Sequence, residues 1–329
     1  MVSLQRNSSW LSSLPLGLLA LLLAAGSVHA QQNYPTRPIR LIVPFPPSGP
    51  SDIVARMLAQ KLTETFKQTV VVDNRPGGGG TIGAETVVKA NPDGYTMIVV
   101  SGAYAANAAL YKLPYDPVND VAPIALIGEA ASLVTLHPSV PVTSIKELIA
   151  YDKANPAKLN YGSGGTGSAI HLATELFNQM AGTRMSHVPY KGTGPALNDL
   201  LGGQIQLIFG ALSVMLPQVK SNRLRGIAVT TAKRSNAVPD IPAVAETVPG
   251  YEAVALAAVL GPKALPKDIA ARWNMEINRI LQLSDVKERL AGDGMEPVGG
   301  SPERVREVLK REVAMWQKVV KTAGIKPGS

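Results

Sequence analysis

Short apolar runs alternate with longer amphipathic segments along nearly the whole chain, and this alternation limits the fold more than any other feature. Residues 39–45 form an almost continuous apolar run that stops at the proline-rich segment 46–50. A helical pattern follows, in which Val54, Leu58 and Leu62 share one face. Segments in this order predict an α/β fold with mainly parallel sheets.

The alternation continues toward the C-terminus and places further elements. Residues 144–147 (SIKE) have the spacing of a capping box, in which serine and glutamate bond backbone N–H groups at the start of a helix. Ser168 predicts another N-cap, with Gly182 as the end of its helix, and Ser301 predicts the start of the last helix. Strands are predicted over residues 69–72, 95–100, 159–161, 205–209, 224–229 and 253–260, and helices over residues 84–90 and 168–181.

The first thirty residues have the composition of a secretory signal peptide. Arg6 precedes an apolar stretch at residues 11–25, and the segment 28–30 (VHA) offers a cleavage site before Gln31. The apolar stretch is shorter than the ~20 residues that span a bilayer, which disfavours the alternative of a retained anchor helix. Because Gln31 is not cysteine, no lipid anchor is expected at the cleavage point. We therefore predict a signal peptide over residues 1–30 and a mature protein in the periplasm.

Composition excludes several functional classes. The chain has no cysteine, which excludes disulfides, thiolate metal sites, iron–sulfur clusters and thiol nucleophiles. The net charge of +8 favours anionic partners, but lysine and arginine are spread along the chain, with only pairs at 233–234 and 310–311. Aromatic residues make up 5% of the chain, which leaves little for a base-stacking surface. We expect no nucleic-acid partner.

One glycine-rich segment, residues 162–167 (GSGGTG), matches the dinucleotide fingerprint G-x-G-x-x-G between a predicted strand and a predicted helix. That fingerprint also needs an acidic residue about twenty positions further on, and residues 182–192 contain no Asp or Glu. Dinucleotide binding is therefore disfavoured, and no cofactor is predicted. A glycine-rich loop before a helix still offers unpaired N–H groups and a partial positive charge to an anion.

Common sequence signatures of enzymes are missing. The chain has no P-loop motif and no GxSxG motif, and His137, His171 and His187 have no metal-ligand spacing. Ser168 and His171 could suggest a nucleophile and a base on one helix. The alternative, in which Ser168 caps the helix and His171 packs one turn later, is favoured. We predict no catalytic residue and no metal site.

Three predicted loops follow strands, at residues 46–52, 101–104 and 162–168. They are rich in glycine, serine, threonine and alanine and poor in charge. Ligands of open α/β sheets bind at such strand ends, so we expect a cleft lined by N–H groups and hydroxyls. Asp52 offers either a ligand contact or an N-cap, and the N-cap is favoured.

Eight stretches follow the order of one known family over nearly all of the mature chain. They are residues 43–52 (VPFPPSGPSD), 74–85 (NRPGGGGTIGAE), 91–96 (NPDGYT), 110–127 (LYKLPYDPVNDVAPIALI), 159–177 (LNYGSGGTGSAIHLATELF), 187–204 (HVPYKGTGPALNDLLGGQ), 224–235 and 238–246. By these stretches the chain resembles the Bug/TctC family of extracytoplasmic solute-binding proteins, the receptors of tripartite tricarboxylate transporters. The resemblance implies a type II periplasmic-binding-protein fold, with two α/β lobes joined by two crossover segments. Lobe 1 would comprise residues 31–130 plus 251–329, and lobe 2 residues 131–250.

The resemblance also implies a function. The family binds small carboxylated solutes with loop amides, hydroxyls and ordered waters, so we expect a carboxylate ligand delivered to membrane permease subunits or to a sensor. We expect a monomer that is not an enzyme, and an exported α/β hydrolase is the alternative. Carried over onto this sequence, the ligand-binding residues are Phe45, Pro47, Ser48, Gly49, Ser51, Ser101, Ala103, Tyr104, Ser163, Gly164, Thr166, Ser168, Lys191, Gly192 and Gly210.

Three departures from the family pattern lie near the expected ligand or hinge. Ser48 stands where the family usually has glycine, Gly210 stands where many members carry aspartate, and residues 256–260 lack the usual aromatic pattern. Burying the ammonium group of an amino-acid ligand without a carboxylate partner is costly, and the alternative is that backbone carbonyls and water bond it. With glycine at 210, we expect an organic acid without an amino group, either an aliphatic dicarboxylate or an aromatic carboxylate. Room beside Gly210, Ala103 and Ala211 would favour a ring.

Overall fold

A computed structural model of the chain describes residues 34–47, 49–292 and 294–326. The predicted signal peptide at residues 1–30 and the predicted site residue Ser48 lie outside this part of the chain. Within it, no helix combines the length and the apolar character that crossing a bilayer requires.

The elements follow the predicted alternation of strands and helices. The strands are β1 (Ile39–Val43), β2 (Val70–Asn74), β3 (Thr96–Ser101), β4 (Val121–Ala130), β5 (Ser132–Leu136), β6 (Asn160–Ser163), β7 (Ser186–Pro189), β8 (Leu207–Ala211), β9 (Arg225–Val229), β10 (Ala255–Pro262) and β11 (Met295–Pro297). The helices are α1 (Pro50–Phe66), α2 (Thr81–Val88), α3 (Ala103–Leu110), α4 (Ile145–Ala154), α5 (Ala169–Ala181), α6 (Thr193–Leu201), α7 (Leu212–Lys220), α8 (Lys267–Ile280), α9 (Ser284–Gly292) and α10 (Pro302–Ala323).

Local capping signals fix the starts of three of these helices. Ser144, Ser168 and Ser301 each accept a hydrogen bond from the backbone N–H three residues further on, at the starts of α4, α5 and α10. Gly182 ends α5 in the left-handed conformation, with φ of 65°. These four predictions are confirmed.

The strands form two mixed sheets. The first has six strands in the order β11-β4-β10-β3-β1-β2, and the second has five in the order β7-β6-β8-β5-β9. β1 pairs in parallel with β2 and β3, and β6 with β7 and β8. β10 and β5 run antiparallel to both of their neighbours. The prediction of mainly parallel sheets is therefore wrong, because β10 and β5 each lie between two strands that run in the opposite direction.

The chain crosses between the two sheets twice, and the crossings lie side by side. β4 ends at Ala130 and β5 begins at Ser132, with one residue between them. The chain returns through residues 230–254, where Thr230 exchanges hydrogen bonds with Ser132, and Ala255 then pairs in register with Ala130. The predicted fold class, α/β with two lobes and two crossover segments, is confirmed. The domain bounds given above remain a proposal.

Two helices, α3 and α10, pack across the boundary between the sheets. Trp316 and Val319 of α10 share one hydrophobic core with Phe177 of α5 and Leu110 of α3. The Gln179 side-chain amide of α5 donates a hydrogen bond of 3.0 Å to the carbonyl oxygen of Val319. The end of the last helix is therefore anchored on the lobe of the second sheet.

Candidate ligand-binding cleft

A cavity of about 740 Å³ lies between the two sheets, at the crossings. The ends of β3 and β5 and the loops after β1 and β6 reach it. None of the described residues that line it carries a charge. The lining consists of Phe45, Pro46, Pro47, Gly49, Pro50, Ser51, Gly79, Ser101, Gly102, Ala103, Ala106, Asn107, Leu110, Tyr111, Ser132, Thr166, Gly167, Ser168, Ala169, Leu172, Ala173, Ala253, Val254, Ala255 and Trp316.

Three helices begin at this cavity. Gly49, Gly102 and Ser168 are the N-caps of α1, α3 and α5, and all three residues line the cavity. The first turn of a helix leaves backbone N–H groups without intrahelical partners, and the helix dipole adds a partial positive charge there. The cavity therefore attracts an anion although no lysine or arginine is among its described lining residues.

Hydroxyl groups supplement these backbone donors. Ser51, Ser101, Ser132 and Thr166 line the cavity, and their hydroxyls make no hydrogen bond to the described part of the chain. Two of these residues belong to the first sheet's side of the cavity and two to the second sheet's side. A ligand in the cavity can therefore receive hydrogen bonds from both lobes.

The loop before α1 is held by one side chain of β2. The Asn74 amide donates hydrogen bonds to the carbonyl oxygen of Phe45 at 3.0 Å and to Oδ1 of Asp52 at 2.9 Å. Arg56 Nε donates to Oδ2 of Asp52 at 2.8 Å. The N-cap of α1 is Gly49, so the capping role predicted for Asp52 is wrong. Asp52 lies in the first turn with its carboxylate bonded to Asn74 and Arg56, and it does not line the cavity.

The loop before α5 is held by two histidines. The Gly167 N–H donates to Nδ1 of His171 at 2.9 Å, and Ser163 Oγ shares a hydrogen bond of 2.6 Å with Nε2 of His187. Ser163 Oγ also bonds the backbone of Gly165, at 3.0 Å from its oxygen and 3.1 Å from its nitrogen. Gly165 and Gly167 have φ of 126° and 76°, values that favour glycine. The glycine-rich sequence is therefore explained by the shape of the loop.

The two histidines stack on each other behind this loop. The ring centroids of His171 and His187 are 3.8 Å apart with 8° between the ring planes, and Tyr161 stacks on His187 at 5.0 Å. Burial lowers the pKa of both histidines to about 4, and the neighbouring His187 adds to the lowering for His171. Both rings are neutral at neutral pH, which lets Nδ1 of His171 accept a hydrogen bond. The packing role predicted for His171 is confirmed.

The structure brings the three predicted loops together at the cavity. Eight of the fifteen predicted ligand-binding residues line it, and their contact with a ligand remains a proposal. These are Phe45, Pro47, Gly49, Ser51, Ser101, Ala103, Thr166 and Ser168.

Two predicted residues are turned away from the cavity by their own contacts. The Tyr104 hydroxyl donates to the carbonyl oxygen of Pro117 at 2.9 Å, and its ring stacks on Tyr115. Ser163 is fully buried and is bonded to His187 behind the loop. Ser163 therefore supports the loop that carries Thr166 and Ser168.

Three further predicted residues lie together outside the cavity lining. Gly192 N–H donates to the carbonyl oxygen of Gly164 at 3.3 Å, and the neighbouring Lys191 is exposed. This contact joins the loop before α6 to the loop before α5. None of the three lines the cavity.

The last predicted residue, Gly210, leaves no room for a ligand. A Cβ atom at this position would lie 2.1 Å from Cε of Met215, because that side chain fills the space beside the glycine. Ala211 also lies outside the lining, whereas Ala103 belongs to it. The expected room for a ring at Gly210 is therefore wrong.

Sequence reasoning missed α3 and the apolar part of the lining. Residues 103–110 (AYAANAAL) have no polar face, so no helix was predicted there. Within α3, the Asn107 amide donates to the carbonyl oxygen of Gly79 at 3.0 Å and holds a glycine turn at the cavity. Leu172 of α5 and Trp316 of α10 reach the cavity through packing between distant segments, for which local sequence patterns give no signal.

Comparison with known proteins identifies the family. Residues 54–325 match the family described as tripartite tricarboxylate transporter family receptor. The chain belongs to this receptor family. It is 35% identical over 318 residues to Protein BugT of Bordetella pertussis, and this match covers 94% of the chain and 98% of BugT.

Solved structures of related proteins agree with this assignment. Rpa4515 of R. palustris, solved with adipate, matches the receptor with a TM-score of 0.74 and 39% identity, over 89% of this chain and 99% of that one. MatC of Rhodopseudomonas palustris, solved with bound malate, matches with a TM-score of 0.70 and 31% identity, over 87% and 100% of the two chains. The receptor is therefore a solute-binding protein of this family. These relatives give no support to an exported hydrolase.

Proposed function

We propose that this receptor captures a small organic acid in the periplasm and passes it to the membrane permease subunits of a tripartite tricarboxylate transporter. The predicted signal peptide supports the periplasmic location, and the family matched by residues 54–325 supports the permease partner. The adipate and malate in the two solved relatives support a carboxylate as the ligand. The receptor acts as a monomer without a cofactor.

One observation carries this proposal: three helix N-termini converge on a cavity whose described lining has no charged side chain. A carboxylate placed there offsets the partial positive charges of the three helices and accepts hydrogen bonds from their N–H groups. The hydroxyls of Ser51 and Thr166 add donors from opposite sides. A cationic ligand would find no carboxylate partner among the described lining residues.

The same lining supports an acid without an amino group. Burying an ammonium group without a charged partner costs several kcal/mol. Asp52, in the first turn of α1, is bonded to Arg56 and Asn74 and stays outside the lining. An amino acid would therefore bind less tightly than the acid that lacks its amino group.

We propose binding without turnover. The Ser168 hydroxyl oxygen accepts the backbone N–H of His171, and Nδ1 of His171 accepts the N–H of Gly167. These bonds give both side chains a structural role, so they do not form a nucleophile and base. The ligand should be recovered chemically unchanged after incubation with the receptor, as chromatography of the solute measures. Consumption of the solute would contradict a pure binding function.

Contacts from both sides of the cavity require the lobes to close on the ligand. The two crossings, at Ala131 and at residues 251–254, are the segments about which the lobes can rotate. Small-angle scattering should give a smaller radius of gyration with ligand bound. Equal radii at saturation would contradict the closure.

Thr166→Val tests the proposed carboxylate site directly. Hydrogen bonds to a charged group contribute about 1.5–3 kcal/mol, so the loss of the hydroxyl should weaken binding roughly ten- to a hundredfold. The matched control is Thr86→Val on α2, outside the cavity lining, which should leave the affinity unchanged. Calorimetric titration with adipate, malate, benzoate and aspartate measures both variants. Unchanged affinity in Thr166→Val removes Thr166 from the site, and the failure of every organic acid to bind contradicts the proposed function.

A further inference from the structure

We propose that the solute is a monocarboxylic acid with an extended apolar body, such as an aliphatic chain or an aryl group, and not a dicarboxylic acid of the same length. This inference rests on the proposed function and adds the chemical class of the solute. It comes from the part of the cavity lining that the sequence did not predict.

One wall of the cavity is formed by the hydrophobic core itself. Six lining residues belong to a single hydrophobic cluster, and each is at most 6% exposed. They come from α3, α5, α10 and the second crossing. We call them the apolar wall: Ala106, Leu110, Leu172, Ala173, Ala253 and Trp316.

The apolar wall offers no side-chain hydrogen bond to a second carboxylate. Five of its members are alanine or leucine, and Trp316 Nε1 already donates to Oε2 of Glu312 at 2.9 Å. A carboxylate against this wall would lose its hydration without gaining a partner, which is costly. A dicarboxylic acid long enough to reach the wall from the helix N-termini would therefore have one end bound and one end unpaired.

The apolar wall continues across both lobes. A Cβ atom built on Gly167 would lie 3.0 Å from Cδ1 of Leu110, so the end of α3 touches the loop before α5. Ser168 and Leu172 are one helical turn apart on α5, and both line the cavity. A carboxylate at the start of α5 can therefore extend an apolar body along the wall. The cavity volume of about 740 Å³ falls in the ~300–1,000 Å³ range of small-molecule binding sites.

A series of ligands tests this inference on the protein purified from the periplasm. Calorimetric titration compares butyrate, hexanoate, octanoate and 3-phenylpropionate with succinate, adipate and suberate. Each methylene buried against the wall should strengthen binding about fourfold. Octanoate should therefore bind more tightly than butyrate by a factor of about a hundred or more, and at least tenfold more tightly than suberate.

A substitution in the apolar wall tests whether the gain in affinity with chain length arises at this wall. Ala173→Leu should fill the space along the wall and weaken octanoate binding at least tenfold, with butyrate changed by less than threefold. The matched control is Ala181→Leu near the end of the same helix, outside the cavity lining, which should leave both affinities unchanged. If Ala173→Leu fails to fold, the ligand series on the natural protein decides.

The possible results separate this inference from the proposed function. Suberate or adipate binding as tightly as the monocarboxylic acid of equal length would overturn the inference and leave the proposed function standing. An affinity that does not rise from butyrate to octanoate would also overturn the inference and leave the proposed function standing. If no acid of either series binds, both are overturned.

Discussion

The loops that lead into α1 and α5 perform the same task, since each brings a helix N-terminus to the cavity, but they are held in different ways. The loop before α1 carries three prolines, at residues 44, 46 and 47, and one hydrogen bond from Asn74 to its backbone. The loop before α5 carries three glycines, at residues 164, 165 and 167, and is held by His171 and His187, which stack behind it.

This difference predicts different responses to solution conditions. Proline restricts φ by covalent geometry at any pH. A histidine nitrogen accepts a hydrogen bond only while it is unprotonated. The side of the cavity formed by the loop before α5 should therefore respond to acid, whereas the side formed by the loop before α1 should not.

The largest expected effect is a loss of stability in acid that depends on the two histidines. The pKa of His171 and His187 is about 4 in the folded chain and ordinarily about 6.5. Between these values the unfolded chain binds more protons, so the contribution of the pair is full above pH 6.5 and is lost as the pH falls through 4. One pKa unit corresponds to about 1.4 kcal/mol, so the loss is on the order of 3 kcal/mol for each histidine.

Urea unfolding at pH 7.5 and pH 4.5 measures this loss. The double variant His171→Asn with His187→Gln lacks the titrating rings, so its free energy of unfolding should fall less between the two pH values than that of the natural protein. Acidic side chains elsewhere affect both proteins equally. Equal losses in the two proteins would break the proposed contrast between the loops.

A buried carboxylate on α10 should show the opposite dependence on pH. Glu312 is 2% exposed, and burial raises its pKa to about 7, although Arg311 and the hydrogen bond from Trp316 partly oppose this. A folded pKa above the ordinary ~4.5 means that the contribution to stability is full below pH 4.5 and lost as the pH rises through 7. Glu312→Gln keeps an oxygen for Trp316. It should match the natural protein at pH 4 and exceed its free energy of unfolding by roughly 3 kcal/mol at pH 8.

The effect of Glu312→Gln on the free energy of unfolding grows as the pH rises, whereas the destabilisation caused by the histidines grows as the pH falls. The two effects can therefore be told apart by their dependence on pH. Urea unfolding at both pH values is the measurement. A difference between Glu312→Gln and the natural protein that is the same at pH 4 and pH 8 would show that the carboxylate titrates normally.

A smaller effect is expected when one support of each loop is removed at neutral pH. His171→Phe leaves the partly buried N–H of Gly167 without its acceptor, which should cost about 2 kcal/mol of stability. Ligand affinity should fall about tenfold because the loop loses its fixed shape. His171→Asn supplies an oxygen acceptor and should restore most of the affinity.

Asn74→Ala is the matching change in the other loop. It removes the donor to the carbonyl oxygen of Phe45 and to Oδ1 of Asp52, and should cost a similar ~2 kcal/mol. Its cost should be the same at pH 7.5 and pH 5.5, as thermal and urea unfolding can measure. A cost that changes with pH would show that the loop before α1 also depends on titrating groups.

The sequence predicts those parts of the fold that neighbouring residues decide. Ser144, Ser168 and Ser301 cap helices because serine satisfies an N–H group three residues away, and such contacts can be inferred from spacing alone. The capping role of Asp52 could not be excluded in the same way. Its carboxylate turns instead to Asn74, which is 22 positions further on and comes close only when β1 and β2 pair.

In the candidate site too, the loops could be predicted from the sequence and the contacts between distant segments could not. The three loops follow from glycine, proline and serine patterns at strand ends, and the structure brings them to one cavity. The apolar wall was not predictable, because Leu110 and Trp316 meet only after α3 and α10 pack across the lobes. The room expected at Gly210 was wrong for the same reason, because Met215 from α7 folds back over the glycine.

The central claim is that a carboxylate lies where α1, α3 and α5 begin, with its apolar body against the apolar wall. A crystal structure of the protein with the tightest-binding acid of the series tests it most directly. We expect carboxylate oxygens about 3 Å from donors of Thr166 or Ser168 and of Ser51 or Ser101, with the apolar body against Leu172. An acid bound outside this cavity, or one whose carboxylate pairs with a lysine or arginine, would contradict the account.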